Sequence, residues 1–128
     1  MAKSPRIMRE RADRAMSIFI RTKYAVDGYV KCITCDAIRP IAEMDSAHFI
    51  SRGKAATRFL EANCHPACQN CNRFRQLPHM RMYTLFMIDT YGREFVDQLI
   101  QTSRELVRHR ISDYEGFAAH YNDKLGEL

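Results

Sequence analysis

Two cysteine pairs, Cys32-x-x-Cys35 and Cys68-x-x-Cys71, constrain this chain more than any other feature in it. Each C-x-x-C turn aims two thiolates at one point. Two such turns satisfy a tetrahedral Zn²⁺ with sulfur ligands at about 2.3 Å and cross-link a segment of roughly forty residues. The first residues are charged rather than apolar, so no signal peptide is read, and there is no run of about eighteen apolar residues that could span a membrane. A cytoplasmic, reducing setting is therefore expected, in which five cysteines, an odd number, bind metal rather than pair as disulfides. A thioredoxin-like redox role is the rival reading of a single C-x-x-C, but redox motifs do not come as two pairs.

At 128 residues the chain is read as one domain that can bury roughly two-thirds of its unfolded surface. Its net charge of +5 is unevenly placed. Residues 1–25 hold seven Lys/Arg against two acids, whereas residues 81–128 are net acidic. A basic face near the N-terminus attracts polyanions through counterion release, and Arg6, Arg9, Arg14 and Arg21 are its candidate contacts.

Ser4-Pro5 is a helix start, with Ser as N-cap and Pro at the first helical position. Met8, Ala12, Ala15, Met16, Phe19 and Ile20 then recur at helical spacing, and Asp27-Gly28 is a turn, so 1–26 is a basic amphipathic helix. Residues 29–78 form the centre. Short extended pieces are expected at 29–33, 38–42 and 45–50, a basic loop at 51–58, an extended stretch through Phe59-Leu60, and a short helix carrying Asn72 that stops near Pro78. Residues 79–128 are helical, with helices over 79–91 and 93–110 and a last one opened by a Ser112-x-x-Glu115 capping box. Leu106 and Val107 are read as buried, and His79, His109 and His120 as helix-surface residues without function.

Between and just after the cysteine turns lies the polar set that a one-metal phosphodiesterase would use. Hydrolysis of a phosphodiester needs a water deprotonated near neutral pH, and His48 suits that, with an ordinary pKa of about 6.5. The scissile phosphate and leaving oxygen need positive charge, which a divalent ion with oxygen ligands supplies; Asn72 can offer one carbonyl oxygen. Arg52, Lys54, Arg58 and Arg73 flank this set and are its candidate phosphate contacts.

The order His48, Asn63, Asn72 resembles an HNH nuclease of the His-Asn-Asn type, built on a ββα-metal (His-Me finger) motif. More closely, Phe19-Ile20-Arg21, Cys32-Ile33-Thr34-Cys35, Asp45-Ser46-Ala47-His48-Phe49, Arg58-Phe59, Asn63-Cys64-His65 and Cys68-Gln69-Asn70-Cys71-Asn72 resemble the NinG (Rap) recombination endonucleases of lambdoid phages. The similarity continues weakly through Tyr91-Gly92-Arg93-Glu94-Phe95-Val96-Asp97 and Tyr121-x-x-Lys124-Leu125.

The resemblance implies an α+β fold, with a zinc-stapled ββα centre between a basic N-terminal helix and C-terminal helices. It implies a DNA endonuclease using Mg²⁺ or Mn²⁺ on branched recombination intermediates such as Holliday junctions or D-loops, in the host cytoplasm where the gene is phage-borne. In it His48 is the base, Asn63 pins the loop that orients His48, and His65 is a supporting residue. Many HNH nucleases carry a metal-binding Asp or His just before the base. Ala47 stands there in this chain, so Asp45, on the same face of an alternating strand, is the expected ligand beside Asn72. The rival readings are a non-catalytic zinc module that binds nucleic acid, and a nicking or restriction-type nuclease on linear duplex. Homodimerisation stays open.

Overall fold

The computed structural model describes residues 3–128. Helix α1 (Pro5–Lys23) opens as its sequence dictates: the Ser4 hydroxyl accepts from the Ile7 N–H at 3.0 Å, a cap worth about 1 kcal/mol. Its buried stripe is the one read from spacing, Met8, Ala12, Ala15, Met16, Phe19 and Ile20. Asp27 and Gly28 then take positive φ (51° and 82°), which turns the chain into strand β1 (Tyr29–Lys31). β1 pairs antiparallel with β2 (Ile38–Pro40), and the first cysteine turn lies between them.

A second antiparallel pair joins β3 (Met44–His48) to β4 (Cys64–Cys68), with His48 opposite Cys64 and Met44 opposite Cys68. Helix α3 (Gln69–Phe74) follows β4 directly. The connection from β3 to β4 contains a single helical turn, α2 (Ala55–Arg58), where the sequence suggested only a loop. The second strand also lies after Asn63 rather than before it: Phe59-Leu60 is not extended strand, and a 3-10 turn over Glu61–Asn63 delivers the chain into β4.

Helices α4 (Gln76–Tyr91), α5 (Arg93–Ser103) and α6 (Ile111–Gly126) complete the fold. Pro78 sits in the first turn of α4, where its missing N–H is no loss, and so does not terminate α3. Gly92, at φ 90°, separates α4 from α5, as a glycine after a helix should. The expected helix over 93–110 stops at Ser103. Val96 and Leu99 are buried, whereas Leu106 is fully exposed and Val107, Phe95 and Ile100 are also exposed. The start of α6 is capped by Asp113, whose carboxylate accepts the Arg110 N–H at 2.7 Å, so Ser112 and Glu115 do not form the cap.

Two apolar clusters hold these elements. One gathers Val30, Met44, Ala47, Phe49, Ala67, Tyr83, Met87, Val96 and Leu99 around Cys32, Cys68 and Cys71. The other joins the α1 stripe to Phe59, Cys64 and Tyr121. The β3–β4 hairpin contributes to both, which fixes its strands between α1 on one side and α4 on the other. No described helix is long and apolar enough to cross a membrane.

Candidate active site and zinc centre

The four paired cysteines converge. Their sulfur atoms all lie within 4.8 Å of one another, and Cys35 and Cys68 are 3.7 Å apart. A tetrahedron of 2.3 Å zinc–sulfur bonds places its sulfurs about 3.8 Å apart, so the set fits one ion and could hold zinc. Backbone geometry prepares both turns. Asp36, at φ 65°, lets its N–H return to the Cys32 carbonyl at 3.1 Å, and the Cys71 N–H points at Cys68 Sγ at 3.4 Å. The Ile33 N–H bonds the Pro66 carbonyl at 3.1 Å, tying the first turn to β4. Burial opposes ionisation of all four thiols and raises Cys35, Cys68 and Cys71; at Cys32 the Thr34 hydroxyl and neighbouring backbone N–H groups outweigh it and lower that thiol to about 6, making it the readiest thiolate of the set. His79 is no surface residue: it is buried, and its Nδ1 meets the Thr34 hydroxyl at 3.0 Å, one step outward from the sulfurs. Cys64 stays outside the cluster, fully buried against Met16, where the low-dielectric surroundings push its thiol well above the usual range.

On the α1 side of the hairpin is a cleft of about 550 Å³, lined by Asp13, Arg14, Met16, Ser17, Asp45, Ser46, His48, Arg52, Asn72 and Arg73. It unites His48, Asp45 and Asn72 with three of the arginines read as phosphate contacts. Asp13, Ser17 and Ser46 are additions that the sequence reading missed. Asp13, Ser17 and Arg21 follow one another at i, i+4 along α1, a polar row beside the apolar stripe and the sequence signal that could have raised the first two; Ser46, on β3, has no such signal.

His48 closes β3. Its Nε2 lies 3.0 Å from the Arg58 carbonyl oxygen, which can only accept, so Nε2 carries the proton and Nδ1 keeps its lone pair. Nδ1 has no hydrogen-bond partner among the described residues. Burial pulls the imidazole below its ordinary value of 6.5; the Arg58 carbonyl pulls the other way without overcoming it. Asn63 is fully buried beneath the loop. Its Nδ2 donates to the carbonyls of Ile50 (3.0 Å) and Thr57 (3.2 Å), and its Oδ1 accepts the Ile50 N–H at 2.9 Å, clamping both ends of the segment that follows His48.

Asp45 faces Asn72 and Arg73. The Asn72 Nδ2 donates to Asp45 Oδ2 at 3.0 Å, which leaves its Oδ1 turned away, and Arg73 grips both carboxylate oxygens at 2.9 Å. Burial alone would raise the Asp45 carboxyl, but the bonds from Arg73 and Asn72 prevail and hold it below the usual range. Ala47 does not share the cleft with Asp45. It is fully buried in the core, and the Tyr83 hydroxyl donates to its carbonyl at 2.7 Å. His65, paired with Ala47 across the strands, is buried on that same side. Because Tyr83 gives its proton to Ala47, His65 Nδ1 must donate to the Tyr83 oxygen (2.9 Å), while Nε2 accepts from Tyr91 (2.7 Å). Burial lowers this imidazole to about 4 and keeps it neutral.

The remaining basic candidates divide by environment. Arg14 and Arg52 line the cleft and form no ion pair among the described residues. Arg58 is bound to Asp13, and Arg21 donates to Ser17 and to the Ile41 carbonyl (2.9 Å), so both guanidiniums are committed within the protein. Arg6 is exposed and Arg9 half-buried on α1, and Lys54 is exposed ahead of α2; none of the three lines the cleft. His109 is partly buried, bonding the Ala55 carbonyl and packing edge-on against Phe59 and Phe117.

Fold and site together describe a mixed α+β protein, mostly helical, in which a four-cysteine cluster that could hold zinc stands beside an arginine-lined cleft. The family model described as Bacteriophage Lambda NinG protein matches residues 1–128, and the chain belongs to the NinG family. No curated protein and no solved structure matched it.

Proposed function

We propose that this protein is a metal-dependent DNA endonuclease of the HNH type, acting on branched DNA during phage recombination in the host cytoplasm. The observation that carries the reading is His48: a neutral imidazole, held as the Nε2–H tautomer by a backbone carbonyl, at the wall of a cleft that also holds Arg14, Arg52, Asp45 and Asn72. An unprotonated Nδ1 is what a general base for water needs. The order β3, β4, α3, with His48 ending the first strand and Asn72 on the helix, supports a ββα-metal motif. Family membership supports the recombination role, and branched DNA is the substrate class that such a role would present.

In this reading Arg14 and Arg52 draw the phosphate backbone into the cleft. Asn63 keeps the loop closed behind His48, and His48 takes the proton from the attacking water. Asp45 and Asn72 would hold a Mg²⁺ or Mn²⁺ ion once the Asn72 amide turns its Oδ1 in place of the Nδ2 now bonded to Asp45 and the carboxylate is shared between the ion and Arg73; an ionised carboxylate, an amide oxygen, water and substrate phosphate make up a donor set typical of Mg²⁺. When bound, that ion supplies positive charge to the scissile phosphate and leaving oxygen.

The test is cleavage of junction, flap, single-stranded and linear duplex DNA side by side, with Mg²⁺ or Mn²⁺ and with EDTA. Metal-dependent cleavage favouring the junction is expected. Binding without cleavage under every condition would leave a zinc-containing nucleic-acid-binding module, and preference for linear duplex would leave a nicking or restriction-type enzyme.

A further outcome concerns Asp45, whose carboxylate is shared with Arg73. Asp45→Asn is expected to raise the Mg²⁺ concentration for half-maximal cleavage at least about tenfold, with partial recovery in Mn²⁺, because a charged oxygen ligand is lost while the shape is kept. An unmoved metal titration would leave Asp45 as the counter-ion that aims Arg73. Ala47→Asp offers no rescue, since the new carboxylate would face the packed core at a fully buried position.

A further inference from the structure

Arg58 is the junction of three separate constraints. Its Nε donates to Asp13 Oδ1 at 3.0 Å, one terminal nitrogen donates to Asp13 Oδ2 at 2.6 Å, and the other to the Arg52 carbonyl at 3.0 Å. The paired side chains are only 16% and 19% exposed, so this is a sheltered bidentate pair and not a loose surface contact. The backbone carbonyl of the same residue is the acceptor for His48 Nε2.

We propose that Asp13 and Arg58 are a positioning pair for His48: the ion pair fixes the Arg58 peptide, and that peptide's carbonyl fixes the tautomer and ring orientation of the base. The inference rests on the reading of His48 given above, but its geometry can be tested without it.

The chain around Arg58 cannot hold itself. α2 is a single helical turn, and one turn is unfavourable on its own because several dihedrals are fixed for one hydrogen bond. Its conformation comes from outside, through three successive carbonyls: Thr57 accepts from Asn63, Arg58 from His48 and Phe59 from the Tyr121 hydroxyl. The first and third anchors are buried in the core. The middle one bonds the base itself, so an independent hold on residue 58 is needed if the carbonyl is to impose a tautomer on the ring and not follow it. The fork from Arg58 to Asp13 supplies that hold and ties it to α1, the longest helix in the protein. α1 therefore contributes to the geometry of the active centre, beyond presenting basic charge.

The measurement is ¹⁵N NMR of the histidine rings in the full, zinc-loaded chain, at a pH where His48 is neutral, with its signals assigned by their loss in His48→Gln. Wild-type protein is expected to show His48 as the Nε2–H tautomer alone. Asp13→Asn keeps the shape but removes the charge, and Arg58→Lys keeps the charge but not the fork; in both, the Nδ1–H tautomer should appear as a substantial population, and cleavage should fall about tenfold or more with little change in DNA affinity. Glu115→Gln, which breaks the exposed ion pair between Lys3, ahead of α1, and Glu115 of α6, should leave the tautomer unchanged. If Asp13→Asn fails to fold, Arg58→Lys decides. A pure Nε2–H tautomer in a folded Asp13→Asn or Arg58→Lys protein would overturn the proposal. A wild-type protein that cleaves no DNA would sink the nuclease reading while the tautomer result still stands on its own.

Discussion

In the proposed nuclease, replacing His48 with Ala should reduce DNA cleavage by at least about 10²-fold while leaving DNA affinity within about twofold of wild type, because a general base acts in the chemical step and contributes little to ground-state binding. The structure sharpens this. His48 makes one hydrogen bond, to a backbone carbonyl, and is half-buried, so its loss removes a bond of about 1 kcal/mol together with part of the ring's packing, and the variant should stay folded with a melting temperature lowered by several degrees. The pH profile provides a second check. Only the neutral ring can accept a proton, and burial places its ionisation below the ordinary 6.5, so cleavage should climb through mildly acid pH and be level by neutrality. A profile still rising well above pH 7, or loss of binding in step with loss of cleavage, would remove His48 from the base role.

How far the sequence reaches can be judged from particular residues. The α1 stripe was legible because a single period decides it: six apolar positions face the core and Ser4-Pro5 marks the start, although the helix ends at Lys23 and Asp27-Gly28 forms the later turn into β1. The cysteine cluster was legible because ligand spacing is local within each pair. Partners distant in sequence were not. Arg58 looks like any loop arginine until α1 brings Asp13, forty-five positions away, against it. Arg73 looks like a free phosphate contact until Asp45 is found across the hairpin. Alternation along β3 suggested that Asp45 and Ala47 share a face, but Tyr83 of α4 closes over Ala47 while the cleft takes Asp45, Ser46 and His48.

The C-terminal third shows a different limit. Residues 76–91 are apolar on several sides, so periodicity could not separate buried Tyr83 and Met87 from exposed Met82 and Leu85, and His79 passed for a surface residue. Leu106 and Val107 continued an apparent helical pattern. The chain instead leaves the helix after Ser103, and His109 anchors the connection by its bond to the Ala55 carbonyl and its packing on Phe59. Propensity here yields to the need to lay α6 back along α1, where Tyr121 enters the second core.

Zinc should prove the largest single contributor to folding. Purified protein is expected to contain about one zinc per chain, and Cys68→Ser to unfold or precipitate, because formation of a structural zinc site is worth about 10–16 kcal/mol while a whole domain is stable by only about 5–15. Cys68 is the most exposed to this logic: it ends β4, its sulfur caps α3 through the Cys71 N–H, and it belongs to the first apolar cluster. Without the ion, the turn holding Cys32 and Cys35 loses its link to the start of α3, and four thiols are left in or beside a core built around them. The damage should also be uneven. The second cluster, between α1 and α6, contains none of the four cysteines, so chelation should abolish the tertiary signal around Tyr83 more completely than it lowers helix content. Asn72 follows Cys71 directly and Asp45 leans on Asn72, so DNA cleavage should be lost with the zinc and return on adding Zn²⁺ back beside Mg²⁺, not with Mg²⁺ alone. A soluble, zinc-free protein with an unchanged melting temperature would show that the four cysteines hold the fold by packing alone.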